Sequence, residues 1–435
     1  MENIKITPSP LKGEISIPPS KSLAHRAVIC GGLSEGVSNI ENIIFSDDIK
    51  ATIRGMESLD VKVRDNSSVE DDSLKRKKLV IEGKSKLKLI KDTIDCIESG
   101  STLRFLIPIA LLTGEEVTFK GRGKLVSRPL DIYYDIFNNQ GIVYENNNGE
   151  LPLKIKGNLK PDTFYVKGNV SSQFITGLMF SLPLLSKDSE IVMTTELESK
   201  GYVDLTIDCL QKFGVKIENR NYKEFYIKGN QKYISRDYRV EGDFSQAAFW
   251  IVAGILGASI KCNDLNIDSL QGDKAILNIV EQMGADIKIS EGQIQVKESK
   301  ISGIVIDASE CPDLVPVLAT LAALSEGTTK IINAERVRIK ECDRLKAMAT
   351  ELNKIGGEVE ELKDGLIIKG KNSLKGGIVD SWNDHRIAMA MAVASIKCDE
   401  PLIITNSGAV KKSYPQFWED FKMLGGVVDE WSMGQ

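Results

Sequence analysis

The chain has 435 residues, 42% of them hydrophobic and 27% charged, with a formal net charge of −5. That is core enough for two or three domains, and it gives no bulk electrostatic reason to bind nucleic acid or an acidic membrane, so any anion site has to be local. Seven cysteines without a CxxC pair read as reduced thiols of a cytoplasmic protein, and the two histidines, His25 and His385, argue against a histidine-built metal centre.

In chain order, MENIKITPSP lacks the apolar core of a signal peptide. A strand-like run over 4–17 comes next and could belong to either half of the chain. Two prolines end it, and a first apolar helix, HRAVICGGL, follows PPSKSLAHR. A more amphipathic helix starts after SDD and ends in MESLDVKV. The polar stretch RDNSSVEDDSLKRKK then reads as an exposed hairpin loop. The same alternation continues to the end. Further apolar helices are TLRFLIPIALL, SQFITGLMFSLPLL, SQAAFWIVAGIL, DLVPVLATLAAL and HRIAMAMAVAS, which are apolar on nearly all sides and should be buried. The longest apolar run, 249–260, is too short for the ~20 residues of a bilayer span.

The amphipathic helices end in a recurring glycine: Gly141, Gly214, Gly284, Gly356 and Gly425, spaced 69 to 73 residues apart. A sixth copy carries Asp60 at that place, 81 residues before Gly141. Glycine past a helix end supplies a left-handed cap, and aspartate tolerates the same conformation. Strand pairs separated by polar turns follow, as in GVKIENRNYKEFYIKG. The unit reads β-α-β-α-β-β, six times over, in two halves of three, with the crossover in the polar passage 229–241.

Helix starts carry the chemistry. Serine and aspartate there are ordinary N-caps, the reading favoured for SDD, GDFSQ and QGDK. Cations are not. A helix N-terminus is already about half a positive charge, so lysine or arginine there becomes favourable when an anion fills the site. Lys21, Arg26, Arg104, Arg128, Lys340, Arg344, Arg386 and Lys412 all lie at or near such starts. Two acids accompany them: Asp313 in ECPDLVPVL and Glu341 in RIKECDRL. Asp313 could cap a helix and Glu341 could make a structural ion pair with Arg344. As functional groups, both would move protons.

With PPSKSLAHR, SGSTLR, SRP, VSSQFITGL, SKGYVD, VEGDFSQAAF, CPDLVPVLATLAAL, KECDRLKAMATEL, WNDHRIAMA and KKSYPQF, the whole chain resembles the 5-enolpyruvylshikimate-3-phosphate synthase family. The resemblance implies an α/β fold of two similar domains, each of three βαβαββ repeats with buried parallel helices and outer sheets. One lobe would span 20–240 and the other 1–19 plus 241–435. It implies transfer of the enolpyruvyl group of phosphoenolpyruvate to the 5-hydroxyl of shikimate 3-phosphate, releasing phosphate through a tetrahedral intermediate on the way to aromatic amino acids. It further implies no cofactor, no metal, a cytoplasmic monomer and inhibition by glyphosate.

By the same resemblance, Lys21 reaches both substrates and delivers a proton to the methylene carbon. Ser22 and Arg26 hold the shikimate carboxylate. Ser171, Ser172, Ser199 and Lys340 form the pocket for its phosphate, Gln173 sits between the substrates and Tyr202 packs on the ring. Gly100, Arg128, Arg344, Arg386 and Lys412 bind phosphoenolpyruvate, with Arg104 nearby. Asp313 accepts the 5-hydroxyl proton, Glu341 is a second carrier at the methylene, and His385 bonds near the departing phosphate or is structural.

Four positions depart from the family's usual residues. Glu98 replaces an asparagine beside the phosphoenolpyruvate pocket, where an acid weakens anion binding unless it turns away or pairs. Pro19 replaces a glycine, Cys342 a small hydroxyl residue, and Lys411 competes with Lys412 for one role. Two rival readings are the sister transferase acting on UDP-N-acetylglucosamine, which typically has a cysteine where KGRGKLVSRPL has none, and a non-catalytic anion-binding repeat protein.

Overall fold

The computed structural model describes residues 2–68 and 75–432. Contacts divide the chain into two compact units, Pro19–Val240 and the discontinuous Met1–Pro18 with Glu241–Gln435. Each holds three small sheets among the described residues. Among the described residues, no helix is long and apolar enough to cross a membrane.

The second repeat shows the plan. Thr93–Asp95 pairs in parallel with Glu116–Lys120, which pairs antiparallel with Glu150–Lys156, and that strand pairs antiparallel with Val143–Asn147. The third, fourth and fifth sheets repeat this order. The cap glycines Gly141, Gly214, Gly284, Gly356 and Gly425 all have positive φ, and Asp60 stands at +68° in the sixth copy. RDNSSVEDDSLKRKK joins Lys62–Asp65 to Lys77–Gly83, which pair antiparallel; the tip of this expected loop, 69–74, lies outside the described residues.

Three sheets are completed by distant chain. The first repeat has no preceding strand of its own. Tyr233–Ile234 and Asp237–Arg239 run parallel to Ser34–Ile43 and fill that place. The passage expected only to cross between halves is therefore also an edge strand. Its polarity hid it, because edge strands carry charge and have one open side. The sixth repeat ends after one hairpin strand, Val427–Ser432, and Glu2–Thr7 pairs antiparallel with it and with Leu402–Thr405. Gly13–Ser16 runs parallel to Ser259–Asn263 as the first strand of the fourth repeat. The 4–17 segment thus belongs with the C-terminal half.

The apolar helices are buried, as their all-round pattern requires. In the 19–240 unit these are Lys21–Leu33, Gly100–Ala110 and Ser172–Ser181. The last two touch closely at Gly177, where a Cβ would lie 2.3 Å from the Arg104 carbonyl oxygen. In the other unit Phe244–Gly257, Val315–Ala323 and His385–Ala394 fill the core. There Trp250 stacks on Phe417 at 5.0 Å. Burial on all sides leaves the polar ends of these helices as the places where they can meet solvent or a ligand.

Candidate active site

Capping explains most of the serines and aspartates. Ser20, Ser46 and Ser99 accept from the backbone three residues on, Ser171 from Gln173 N, Asp243 from Ser245 N and Gln246 N, and Asp343 from Lys346 N. QGDK departs from the expected cap. Its helix is preceded by a 3-10 turn, Gly272–Lys274, and Asp273 instead accepts from the Ser245 hydroxyl in the interior. Asp313 is no cap either, since it lies within the 3-10 turn Pro312–Leu314 and the following helix has no side-chain cap.

In the 19–240 unit, Lys21 pairs with Asp48 at 2.7 Å, both largely buried. Asp48 was hidden inside SDD, where Ser46 does the capping and leaves Asp48 to face inward. Arg26, 3% exposed, donates to the Ser22 carbonyl (2.7 Å), the Tyr202 carbonyl (2.9 Å) and the Thr206 hydroxyl (2.9 Å). It ties the helix Lys21–Leu33 to Lys200–Lys212. Burial lowers its pKa to about 10. Ser199, buried at the start of Lys200–Lys212, has φ +56° and does not cap that helix.

Gly100, Arg104, Arg128 and Gln173 form a second group in the same unit. Arg104 donates to Gln173 Oε1 (2.8 Å) and the Pro129 carbonyl (3.1 Å), and its guanidinium lies 4.9 Å from the Phe174 ring centre. Gln173 turns its amide N–H toward Ser101 Oγ at 3.0 Å. A Cβ on Gly100 would lie 2.6 Å from Arg128 Nη1 and 3.5 Å from Gln173 Oε1. Ser171 and Ser172 begin the helix that carries Gln173. Glu98 turns its carboxylate against Gly123, where a Cβ would meet Oε2 at 2.5 Å.

The discontinuous unit gathers cations around one acid. Asp313 Oδ1 lies 2.8 Å from Arg344 Nη1 and 3.6 Å from Lys340 Nζ, and its Oδ2 lies 3.0 Å from Arg386 Nη2. Burial alone would raise the Asp313 pKa; Arg386, Lys340 and Arg344 together hold it well below the usual carboxylate range. Arg344 is 1% exposed and also meets Glu341 (2.7 Å) and Asp384 (2.8 Å). Burial disfavours its charge, but Asp384, Glu341 and Asp313 outweigh that and raise its pKa well above the ordinary value. Burial lowers Lys340, against the pull of Asp313. Glu341 thus makes an ion pair with Arg344.

Asp384, fully buried, caps His385–Ala394 by accepting from Arg386 N at 2.8 Å while it holds Arg344. An aspartate just before a helix, as in WNDHR, is a cap signal, but nothing local marks Asp384 as a partner of Arg344. His385 is buried, with Nδ1 3.8 Å from Asp384 Oδ1. Cys342 is buried with Sγ 3.6 Å from Asp384 Oδ2, and burial raises its thiol pKa. Of the two adjacent lysines, Lys412 is buried and donates to the Asn383 carbonyl at 2.6 Å, whereas Lys411 reaches Glu2 on the surface.

A family model described as EPSP synthase (3-phosphoshikimate 1-carboxyvinyltransferase) matches residues 6–421. The chain belongs to the EPSP synthase family. A 3-phosphoshikimate 1-carboxyvinyltransferase of Clostridium novyi (strain NT) is 71% identical over 435 residues, covering all of both chains. One of Clostridium acetobutylicum is 60% identical over 440 residues, again covering all of both. A solved EPSP synthase from Acinetobacter baumannii superposes with a TM-score of 0.82 at 23% identity, over 99% of this chain and 100% of that one. At that identity the likeness speaks for the fold: two similar α/β domains of repeated units, the architecture the resemblance implied. The Clostridium relatives carry the family over the full length.

Proposed function

We propose that this chain transfers the 1-carboxyvinyl group of phosphoenolpyruvate to the 5-hydroxyl of shikimate 3-phosphate and releases phosphate. The observation that carries this reading is the Asp313 carboxylate held by Arg344, Arg386 and Lys340. Cations suit two multiply anionic substrates, and an acid among them suits a hydroxyl proton. An acid only weakens a site built for anion binding alone.

Residues of the 19–240 unit take shikimate 3-phosphate: Ser171, Ser172 and Ser199 its phosphate, Ser22 and Arg26 its carboxylate, and Tyr202 its ring; Lys340 is a further ligand for the phosphate. Arg26 suits this because protein oxygens occupy three of its N–H donors and a guanidinium has five. Arg344, Arg386 and Lys412 take phosphoenolpyruvate, and Arg128, against Gly100, is a ligand for the same substrate. Holding both reactants in contact is worth ~7–11 kcal/mol of barrier.

Asp313 is a weak base while three cations hold it. An anionic group of phosphoenolpyruvate on Arg344 and Arg386 neutralises two of them, so the carboxylate gains basicity as substrate arrives. It then accepts the 5-hydroxyl proton as that oxygen bonds to C2. The C2–C3 double bond takes a proton at C3 from Lys21, with Glu341 as the alternative carrier, to give the tetrahedral intermediate. Loss of a C3 proton and cleavage of the C2–O bond to phosphate restore the double bond. Glyphosate competes with phosphoenolpyruvate, and the chain acts as a monomer.

A phosphate-release assay tests the reading. Release is expected with shikimate 3-phosphate plus phosphoenolpyruvate. Release with UDP-N-acetylglucosamine instead would move the chain to the sister activity, and release with neither acceptor would leave only anion binding.

A further inference from the structure

Two consecutive residues, Trp382 and Asn383, have φ of +54° and +53°. The left-handed region is an outlier for a bulky side chain, and such a conformation persists only where its surroundings over-determine it. Glycine would adopt it without strain. The hydrogen bonds around this turn account for its persistence. Trp382 N donates to Asp380 Oδ1 at 2.6 Å, and Asn383 N donates to Ser381 Oγ at 3.2 Å. Asp380 Oδ2 accepts from Asn406 Nδ2 at 2.7 Å and from the Thr405 hydroxyl.

A further hold comes from one buried acid. Glu351 is 0% exposed. Its Oε1 accepts the Trp382 indole N–H at 2.7 Å, its Oε2 accepts Asp380 N at 3.1 Å, and Lys354 Nζ lies 2.8 Å from Oε2. Glu351 is on the helix Arg344–Lys354, two turns beyond Arg344 and on the same face. The turn leads straight into the site. The Asn383 carbonyl accepts Lys412 Nζ at 2.6 Å, and the next residue, Asp384, holds Arg344 Nε at 2.8 Å. One helix therefore grips the turn at two points, through Arg344 and through Glu351.

We propose that Glu351 and Trp382 are positioning residues for phosphoenolpyruvate: their hydrogen bond keeps the turn in its left-handed conformation, which aims the Asn383 carbonyl at Lys412 and the Asp384 carboxylate at Arg344. The inference rests on the reading of Lys412 and Arg344 as phosphoenolpyruvate ligands. A buried carboxylate is a poor device for stability alone, because well-packed apolar residues of similar volume often serve as well. It gives a fixed direction to the group it holds.

The test uses the full chain and steady-state kinetics for both substrates, with a thermal melt to show that each variant is folded. Trp382→Phe keeps the aromatic body and removes the N–H. It should raise KM for phosphoenolpyruvate about tenfold, the scale of one hydrogen bond to a charged group, and leave KM for shikimate 3-phosphate within about twofold. Glu351→Gln still accepts the indole N–H and should fall between the parent and Trp382→Phe. Trp382→Phe should cost less in a Lys412→Ala background than in the parent, because the share of its effect that acts through Lys412 is already lost. Equal effects of Trp382→Phe on both substrates, no effect on either, or full multiplication with Lys412→Ala overturns the proposal. If Lys412→Ala itself leaves KM for phosphoenolpyruvate unchanged, the ligand reading of Lys412 falls, and this proposal falls with it.

Discussion

Gly100 and Arg128 are fitted to each other: a methyl group on Gly100 would stand 2.6 Å from Arg128 Nη1. No real Cβ tolerates that approach, so in Gly100→Ala the guanidinium has to move. The helix itself would accept alanine, which outranks glycine there. The substitution should therefore leave thermal stability intact, raise KM for phosphoenolpyruvate about tenfold, and raise the inhibitory concentration of glyphosate. Unchanged kinetics and inhibition would remove Gly100 from the site.

Asp313 is the second test. Asp313→Ala should still bind shikimate 3-phosphate in calorimetry yet turn over at least ~10²-fold more slowly, the scale of a lost general base. Near-normal turnover would leave Asp313 as a structural counter-ion of Arg344 and Arg386.

Arg104 tests geometry against charge. Its fork bonds Gln173 and the Pro129 carbonyl and lies over Phe174. Lysine keeps the charge but loses the two-point grip and the flat stacking face. Arg104→Lys should lower kcat/KM for phosphoenolpyruvate by about tenfold or more; parent-like kinetics would show that charge alone is needed there.

Asp273 sets a pH dependence of stability. Burial pushes its pKa up to about 7, with Asp313 and Asp243 adding to the rise against Arg386 and the Ser245 hydroxyl. A carboxyl raised in the folded state holds its proton there after the unfolded chain has released it. Stability therefore falls as pH rises from about 4 to about 7. Asp273→Asn removes this slope, so the melting temperature of the variant relative to the parent should be higher at pH 8 than at pH 5. Equal differences at both pH values would refute a raised Asp273.

The repeat, its cap glycines and most N-caps were readable because each is decided within a few residues. A left-handed position asks for glycine, and a cap bonds the backbone two or three residues on. That same locality explains the miss at Asp273: a 3-10 turn shifted the helix start, and only the fold shows the residue turned inward to Ser245. Asp48 was overlooked because its neighbour Ser46 satisfied the local rule first.

The sequence by itself determined the unit, its sixfold recurrence, the family, and which cations stand at helix starts. Folding decided their partners. Asp313 and Asp384 come from separate stretches of chain to meet Arg344, Glu351 reaches Trp382, and strands from 233–239 and 2–16 complete sheets begun elsewhere. Charge pairing and strand pairing act through space, so their outcome depends on which segments the core brings together, and no local pattern encodes that.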